Sequence, residues 1–353
     1  ESIKKRLFAL KGSYILEHDS YEDIIQADNE EDADRQPEIT QEKAGGEAVM
    51  NNEIIERIRQ NIAKVIVGKE NVIDYYLTAL LAQGHILVED VPGTGKTKLS
   101  KAFAMSMVMD FSRIQFTADM LPADITGLRF YNSKEADFRI RKGPIFSNIV
   151  LADEINRATP KAQSALLECM EEGQVTIDGN SFVLEKPFMV IATQNQIETA
   201  GTFVLPEAQL DRFMLKINMG YPSPDDEMEI INKYYNSDPL DELEPVCARQ
   251  DIIRMINEAG LVTADDEVRR YIVKLVNETR NNSNIAIGAS PRATLALLSA
   301  AKANAYINGK TSCSIDDVKN IAVPVLAHRI KLKPKNLTGQ LSSEEVINNI
   351  VWN

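Results

Sequence analysis

From residue 50 onward, apolar residues recur at helical spacing. Ile54, Ile55, Ile58, Ile62 and Val65 fall three to four positions apart, the period of a helix that buries one face. A turn at Ile66–Glu70 leads to a second amphipathic stretch, Val72–Gln83. The pattern then changes. His85–Asp90, Arg113–Phe116, Ile149–Asp153, Phe188–Thr193 and Leu215–Asn218 read as short strands, alternating with helical stretches such as Thr97–Met109. Largely apolar strands alternating with helices predict a parallel sheet covered on both faces, an α/β class. Beyond Pro222 the strand signal stops. Asp225–Tyr235, Asp251–Ala259, Asp265–Asn277, Pro291–Ile307 and Ile315–Arg329 read as helices, several with start signals: Asp265, Ser290-Pro291, and Ser314 with Asp317 three residues on. A second, all-helical domain is therefore expected after the α/β one.

The flanks differ from this body. Glu17–Gly46 is acidic and poor in large apolar residues, the composition of a flexible segment. Pro334–Asn353 has a capping signal at Ser342/Ser343 with Glu345, which predicts a short terminal helix. The expected division is a flexible acidic segment over 1–49, an α/β unit over 50–222, a helical unit over 223–333 and a C-terminal tail over 334–353. No internal repeat is visible.

Charge and cysteines narrow the function classes. The net charge is −13. Residues 1–47 hold 13 acids against 6 Lys and Arg, a net of −7, which leaves −6 for the rest. Non-specific grip on nucleic acid needs a basic surface, so no nucleic-acid partner is expected. The most basic run, His328–Lys335, reads as a solvated helix end. Cys169, Cys247 and Cys313 have no paired spacing and no nearby histidine. That pattern predicts ordinary thiols in a reducing, cytoplasmic setting and neither a disulfide nor a zinc site. No apolar run approaches the ~18 residues of a transmembrane segment.

The chemistry concentrates in two stretches. "VEDVPGTGKT" (Val88–Thr97) places a glycine-rich turn between a strand and a helix. Backbone N–H groups and the positive helix end then face an anion. Pro92, Gly93, Thr94, Gly95, Lys96, Thr97 and Lys98 make up this cofactor-binding loop: Lys96 for the β- and γ-phosphates of a nucleotide, Thr97 for Mg²⁺. The first glycine of the motif falls on Asp90. The second stretch, "NIVLADEINR", lies 57 residues downstream of Lys96 and ends a buried strand in Asp153 and Glu154. Ligands bind beyond the carboxyl ends of such strands. Asp153 suits the metal shell and Glu154 suits polarising an attacking water. "VIATQN" ends another strand in Gln194 and Asn195.

Together, "VPGTGKT", "ADITGLRF", "GPIFSNIVLADEINRATPKAQSALLECMEEGQVTIDG", "VIATQNQIE", "LPEAQLDRFML" and "GASPRATLALLSAAKANA" resemble the MoxR-type AAA+ ATPases of the magnesium-chelatase-like branch, over about Asn51–Lys333. The resemblance implies a P-loop core with a helical lid, and ATP and Mg²⁺ as cofactors. It implies a catalytic set of Glu154, Asn195 as first sensor, Arg212 as the finger that reaches a neighbouring subunit, and Arg292 as second sensor on the lid. Arg157 is a further candidate for subunit contact. Also implied are hairpin insertions near 124–144 and 174–186. In the second, the Asp178-Gly179 pair between alternating apolar positions supports a hairpin independently. Two positions depart from the family pattern: Asp90, and Gln196 where a proline is common. Lys96, Thr97, Asp153 and Glu154 are all present, so a working site is expected. The resemblance points to a homo-oligomeric ring, a hexamer, that remodels protein clients carrying a von Willebrand factor A domain. Two other readings stay open: a nucleotide-gated scaffold with little turnover, and a nucleic-acid motor.

Overall fold

The computed structural model describes residues 53–89, 91, 93–195, 202–334 and 341–352. Helix α1 (residues 53–63) buries Ile55, Ile58 and Ile62, and α2 (Glu70–Leu81) buries Val72, Ile73, Tyr76 and Leu77. Strand β1 (Ile86–Glu89) leads through the glycine loop into α3 (Lys96–Met105). Next come β2 (Phe111–Gln115), the short helix α4 (Pro122–Thr126), β3 (Gly127–Asn132), β4 (Asp137–Lys142), β5 (Ile149–Asp153) and α5 (Pro160–Glu172). The sheet unit closes with β6 (Gln174–Ile177), β7 (Asn180–Val183), β8 (Met189–Gln194), a one-turn helix α6 (Glu207–Leu210) and β9 (Leu215–Ile217).

Five strands form one parallel sheet in the order β2-β5-β8-β1-β9. Successive residues of β1, β5 and β8 enter different cores, as the pleat requires. Ile86, Val88, Ile149, Leu151, Met189, Ile191, Leu215 and Ile217 join α1, α2 and α3 on one face. Leu87, Val150, Ala152, Val190 and Ala192 join α5 on the other. Helix α5 starts at Pro160 after Thr159 and stops at Gly173 in the left-handed conformation, the proline-first, glycine-last order expected of it.

Two hairpins leave the sheet. β6 and β7 pair around Asp178 and Gly179, both at positive φ (49° and 80°), the geometry of a type I′ turn. β3 and β4 pair antiparallel in full register. At their base, a Cβ on Gly127 would lie 2.2 Å from the Arg141 carbonyl oxygen, and one on Gly143 the same distance from that of Ile125. Only glycine fits where the two strands cross the chain so closely. Leu128, Phe130, Tyr131, Phe138 and Ile140 remain exposed on this hairpin.

The lid consists of α7 (Pro224–Tyr234), α8 (Arg249–Leu261), α9 (Asp266–Asn281), α10 (Pro291–Ile307), α11 (Ile315–Leu326) and α12 (Ser343–Trp352). The start signals read from sequence are made as hydrogen bonds. Asp265 accepts from the Val268 amide at 2.9 Å, and Ser314 exchanges bonds with Asp317. Strand β10 (Thr263–Ala264) pairs with β12 (Ser312–Cys313), and β11 (Ile285–Ile287) with β13 (Lys331–Leu332). These bridges are too short to leave a period-two pattern, which explains why the region reads as helices alone. Helix α12 is capped by Ser342 and Glu345 and buries Val346, Ile347, Ile350 and Val351 in the lid core. The stretch read as a tail thus contributes a packed helix. Among the described residues no helix is long and apolar enough to cross a membrane.

Candidate functional site

All five strands of the sheet run the same way, so its carboxyl edge gathers the ends of β1, β5 and β8. Gly93 (φ +85°) and Gly95 (φ +89°) hold the left-handed geometry that turns the chain from β1 into α3. The space where a Cβ would stand at either is open. Lys96 folds back over the loop and donates to the Val91 carbonyl at 2.8 Å. Asp90, Pro92 and Gln196 lie outside the described residues.

The two carboxylates at the end of β5 are held by neighbours on both sides. Thr193 of β8 donates its hydroxyl to Asp153 Oδ1 at 2.6 Å and accepts the Glu154 amide at 2.8 Å. Arg113 of β2 forks onto Asp153 Oδ2 through Nε (3.1 Å) and Nη2 (2.6 Å). Gln115, two residues on, donates to Glu154 Oε2 at 2.7 Å, and Arg157 lies 3.2 Å from the same carboxylate. Glu154 adopts φ +58°, an unusual conformation for a non-glycine residue and one that clusters at functional sites. Gly93, Lys96, Thr97, Asp153, Glu154 and Asn195 line one cavity of about 420 Å³.

A second cavity, of about 250 Å³, continues from the same loop. Its walls are Val65, Ile66, Val67, Pro222, Ile230 and Tyr234. Lys98 closes it, paired to Asp238 at 2.7 Å and 3.9 Å above the Tyr234 ring. Tyr234 in turn donates to the Val65 carbonyl at 3.0 Å.

Arg212 and Arg292 are elsewhere. Arg212 precedes β9, and the cavity it lines also takes in Gly84 and His85, which precede β1. This is the amino edge of the sheet, about 13 Å away for a four-residue strand. Arg292, in the first turn of α10, joins Arg212 there. Glu171 pairs with both: Oε2 lies 2.5 Å from Arg212 Nη1, and Oε1 meets Arg292 Nη2. Arg212 also donates to the Leu167 carbonyl at 2.9 Å.

Comparison with known proteins agrees with this layout. The ATPase family associated with various cellular activities (AAA) matches residues 85–215, and the AAA lid domain matches residues 277–350. The chaperone MoxR1 of Mycobacterium tuberculosis is 40% identical over 306 residues, 84% of this chain and 81% of that protein. The chain is a MoxR-family AAA+ ATPase. The uncharacterized protein YeaC of Bacillus subtilis is 47% identical over 83% of this chain and 91% of its own length. A crystal structure from Cytophaga hutchinsonii, of a protein proposed to be an ATPase, superimposes with a TM-score of 0.82 at 38% identity, covering 88% of this chain and 97% of that one. The MoxR-type fold, the binding of nucleotide and ATPase activity at the family level follow from these likenesses.

In this MoxR-type chain the structure brings together Gly93, Lys96, Thr97, Asp153, Glu154 and Asn195, all six read from sequence. Thr94 and Lys98 line the adjoining cavity. The same reading missed Thr193, Arg113 and Gln115, whose roles depend on strand order, and Val65–Val67, which read as the end of a helix and the start of a turn. It also missed Glu171, which sequence places only on a helix. An apolar triplet just before Gly68 (φ +64°) was the one local signal for the second cavity.

Proposed function

We propose that this chain hydrolyses ATP with Mg²⁺ inside a ring of identical subunits, and that each reaction centre is shared between two of them. One observation carries this reading. The phosphate loop and both carboxylates line a cavity at the carboxyl edge of the sheet, while Arg212 and Arg292 converge at its amino edge. An arginine side chain cannot cross that separation, so these cations serve the nucleotide of the next subunit.

The residues present fit a nucleotide. The loop amides and Lys96 take the phosphates, and the apolar walls of Val65–Val67, Ile230 and Tyr234 accept a purine ring. Thr97 and Asp153 supply the hard oxygen donors that Mg²⁺ prefers. Among the described residues, no three His, Cys, Asp or Glu side chains cluster as a metal site. That suits an ion that takes most of its shell from phosphate and water. Bound Mg²⁺ would neutralise phosphate charge. Glu154 takes the proton of the attacking water, with its backbone fixed by Thr193, and Asn195 orients that water. Arg212 and Arg292 of one subunit then stabilise charge developing on the nucleotide of its neighbour.

The work done is remodelling of a protein client. The chaperone name of the MoxR1 relative supports a protein partner. MoxR membership is what supports a client with a von Willebrand factor A domain, and a hexamer as the ring. The absence of a paired-thiol pattern supports a cytoplasmic setting. The test of the shared centre mixes Arg212→Ala with Lys96→Ala subunits. Each is inactive alone; mixed rings regain activity because an intact loop meets an intact arginine. No regain in rings proven to be mixed would reject the shared centre.

A further inference from the structure

We infer that Glu171 is a positioning residue for the reaction, setting the two arginines as one unit; this rests on the shared-centre reading above. Three observations lead here. First, Glu171 is the only acid among the described residues paired with both Arg212 and Arg292, one oxygen to each. Second, the two arginines come from different units: Arg212 from the segment before β9, Arg292 from the first turn of α10 in the lid. Third, their chain neighbours are also tied. Ser290, the cap of α10, donates to Asp211 Oδ2 at 3.0 Å. Arg329 Nε lies 3.0 Å from Asp211 Oδ1, an ion-pair contact without hydrogen-bond geometry. Arg329 is itself buried and donates to the carbonyls of Asp211 and Phe213.

Two guanidiniums side by side repel, and both have long, freely rotating side chains. A carboxylate between them removes the repulsion and fixes both planes through charge-assisted bonds. The cluster of Arg212, Arg292 and Glu171 keeps one net positive charge, so it still attracts an anion. Glu171 acts only through the arginines. It lies at the end of α5, away from the loop that binds nucleotide in its own subunit.

The experiment measures steady-state hydrolysis and the affinity for a fluorescent ATP analogue in the full-length chain carrying Glu171→Gln. Hydrolysis should fall at least ~10-fold, part of the 10³–10⁵ that a whole arginine finger supplies. Analogue affinity should stay within about two-fold, since the loop is untouched. Glu171→Gln subunits should regain activity with Lys96→Ala subunits but not with Arg212→Ala subunits, because Glu171 and Arg212 sit on the same side of the interface. Glu171→Asp, one methylene shorter, should fall between wild type and Gln. If Arg212→Ala and Lys96→Ala fail to complement each other, the shared centre is wrong. If they complement, yet Glu171→Gln hydrolyses at or above the wild-type rate, loses analogue affinity or fails to complement Lys96→Ala, the role of Glu171 is overturned. If Glu171→Gln does not assemble, the Asp variant decides by the same measures.

Discussion

At the carboxyl edge of the sheet, the two carboxylates are held by neighbouring strands and by the turn after β5: Thr193 and Arg113 on Asp153, Gln115 and Arg157 on Glu154. At the amino edge, two guanidiniums from segments 80 residues apart share one carboxylate across the boundary between sheet and lid. The first arrangement is rigid because strands hold it. The second depends on how the lid sits on the core. In the proposed reading, the phosphate loop and the carboxylates therefore stand on the strand-held edge, and the arginines that serve the next subunit stand where a change in lid position would move them.

The sharpest way to break this contrast is to attack each edge alone. Lys96→Ala should abolish binding of a fluorescent ATP analogue, a loss of at least ~100-fold, because a point charge on the β- and γ-phosphates is removed. Glu154→Gln should bind the analogue normally and hydrolyse ATP roughly 10²–10⁴-fold more slowly. If both variants turn over at the wild-type rate, the carboxyl edge is not the reaction centre. At the amino edge, Arg212→Ala should lower hydrolysis by about 10³-fold with analogue affinity kept within a few-fold. A large loss of affinity in an isolated subunit would place Arg212 in its own pocket instead.

Smaller effects sharpen the picture. Thr193→Val removes two hydrogen bonds at nearly constant volume, one to the Asp153 carboxylate and one from the Glu154 amide. Turnover should fall about ten-fold, matching ~1–1.5 kcal/mol of lost alignment, and an unchanged rate would remove Thr193 from the site. At the amino edge, His85 is buried. Its Nδ1 accepts from the Val190 amide at 3.0 Å, and its Nε2 bonds to the Met170 carbonyl at 3.1 Å. Burial lowers its pKa from the usual 6.5 to about 4. The unfolded chain therefore binds the proton first, and stability present above pH 6.5 is lost as pH falls toward 4. Chemical unfolding between pH 7 and pH 5 should show ~2 kcal/mol of this loss, and His85→Gln should flatten the profile while lowering stability at pH 7.

Much of this was legible in the sequence. The strand β5 and the helix α10 have the bounds their patterns predict, because apolar runs and Ser-Pro caps are local signals. Lys96, Thr97, Asp153 and Glu154 stand in motifs whose chemistry depends on adjacent residues. Other features escaped for one physical reason: they are made by contacts between distant segments. Thr193 matters because β8 lies beside β5, and strand order is not written in either strand. Val65–Val67 become a wall only when Ile230 and Tyr234 arrive from the lid. The placement of Arg292 beside Arg212, far from the phosphate loop, follows from where α10 docks, which no property of "SPR" encodes.

The hairpin β3–β4 has a consequence for self-association. Its strands expose Phe130, Tyr131, Phe138 and Ile140 together with their free edges, the kind of surface that templates further strands. Five Lys and Arg against two acids are spread over Gly127–Lys142, and Arg129, Arg139 and Arg141 stand directly across from Ile140, Phe130 and Leu128. Stacking two such ribbons edge to edge would crowd like charges at four of the six rungs. The arginines thus act as gatekeepers against fibre growth, and a hairpin stripped of them would be the first part of the molecule to aggregate.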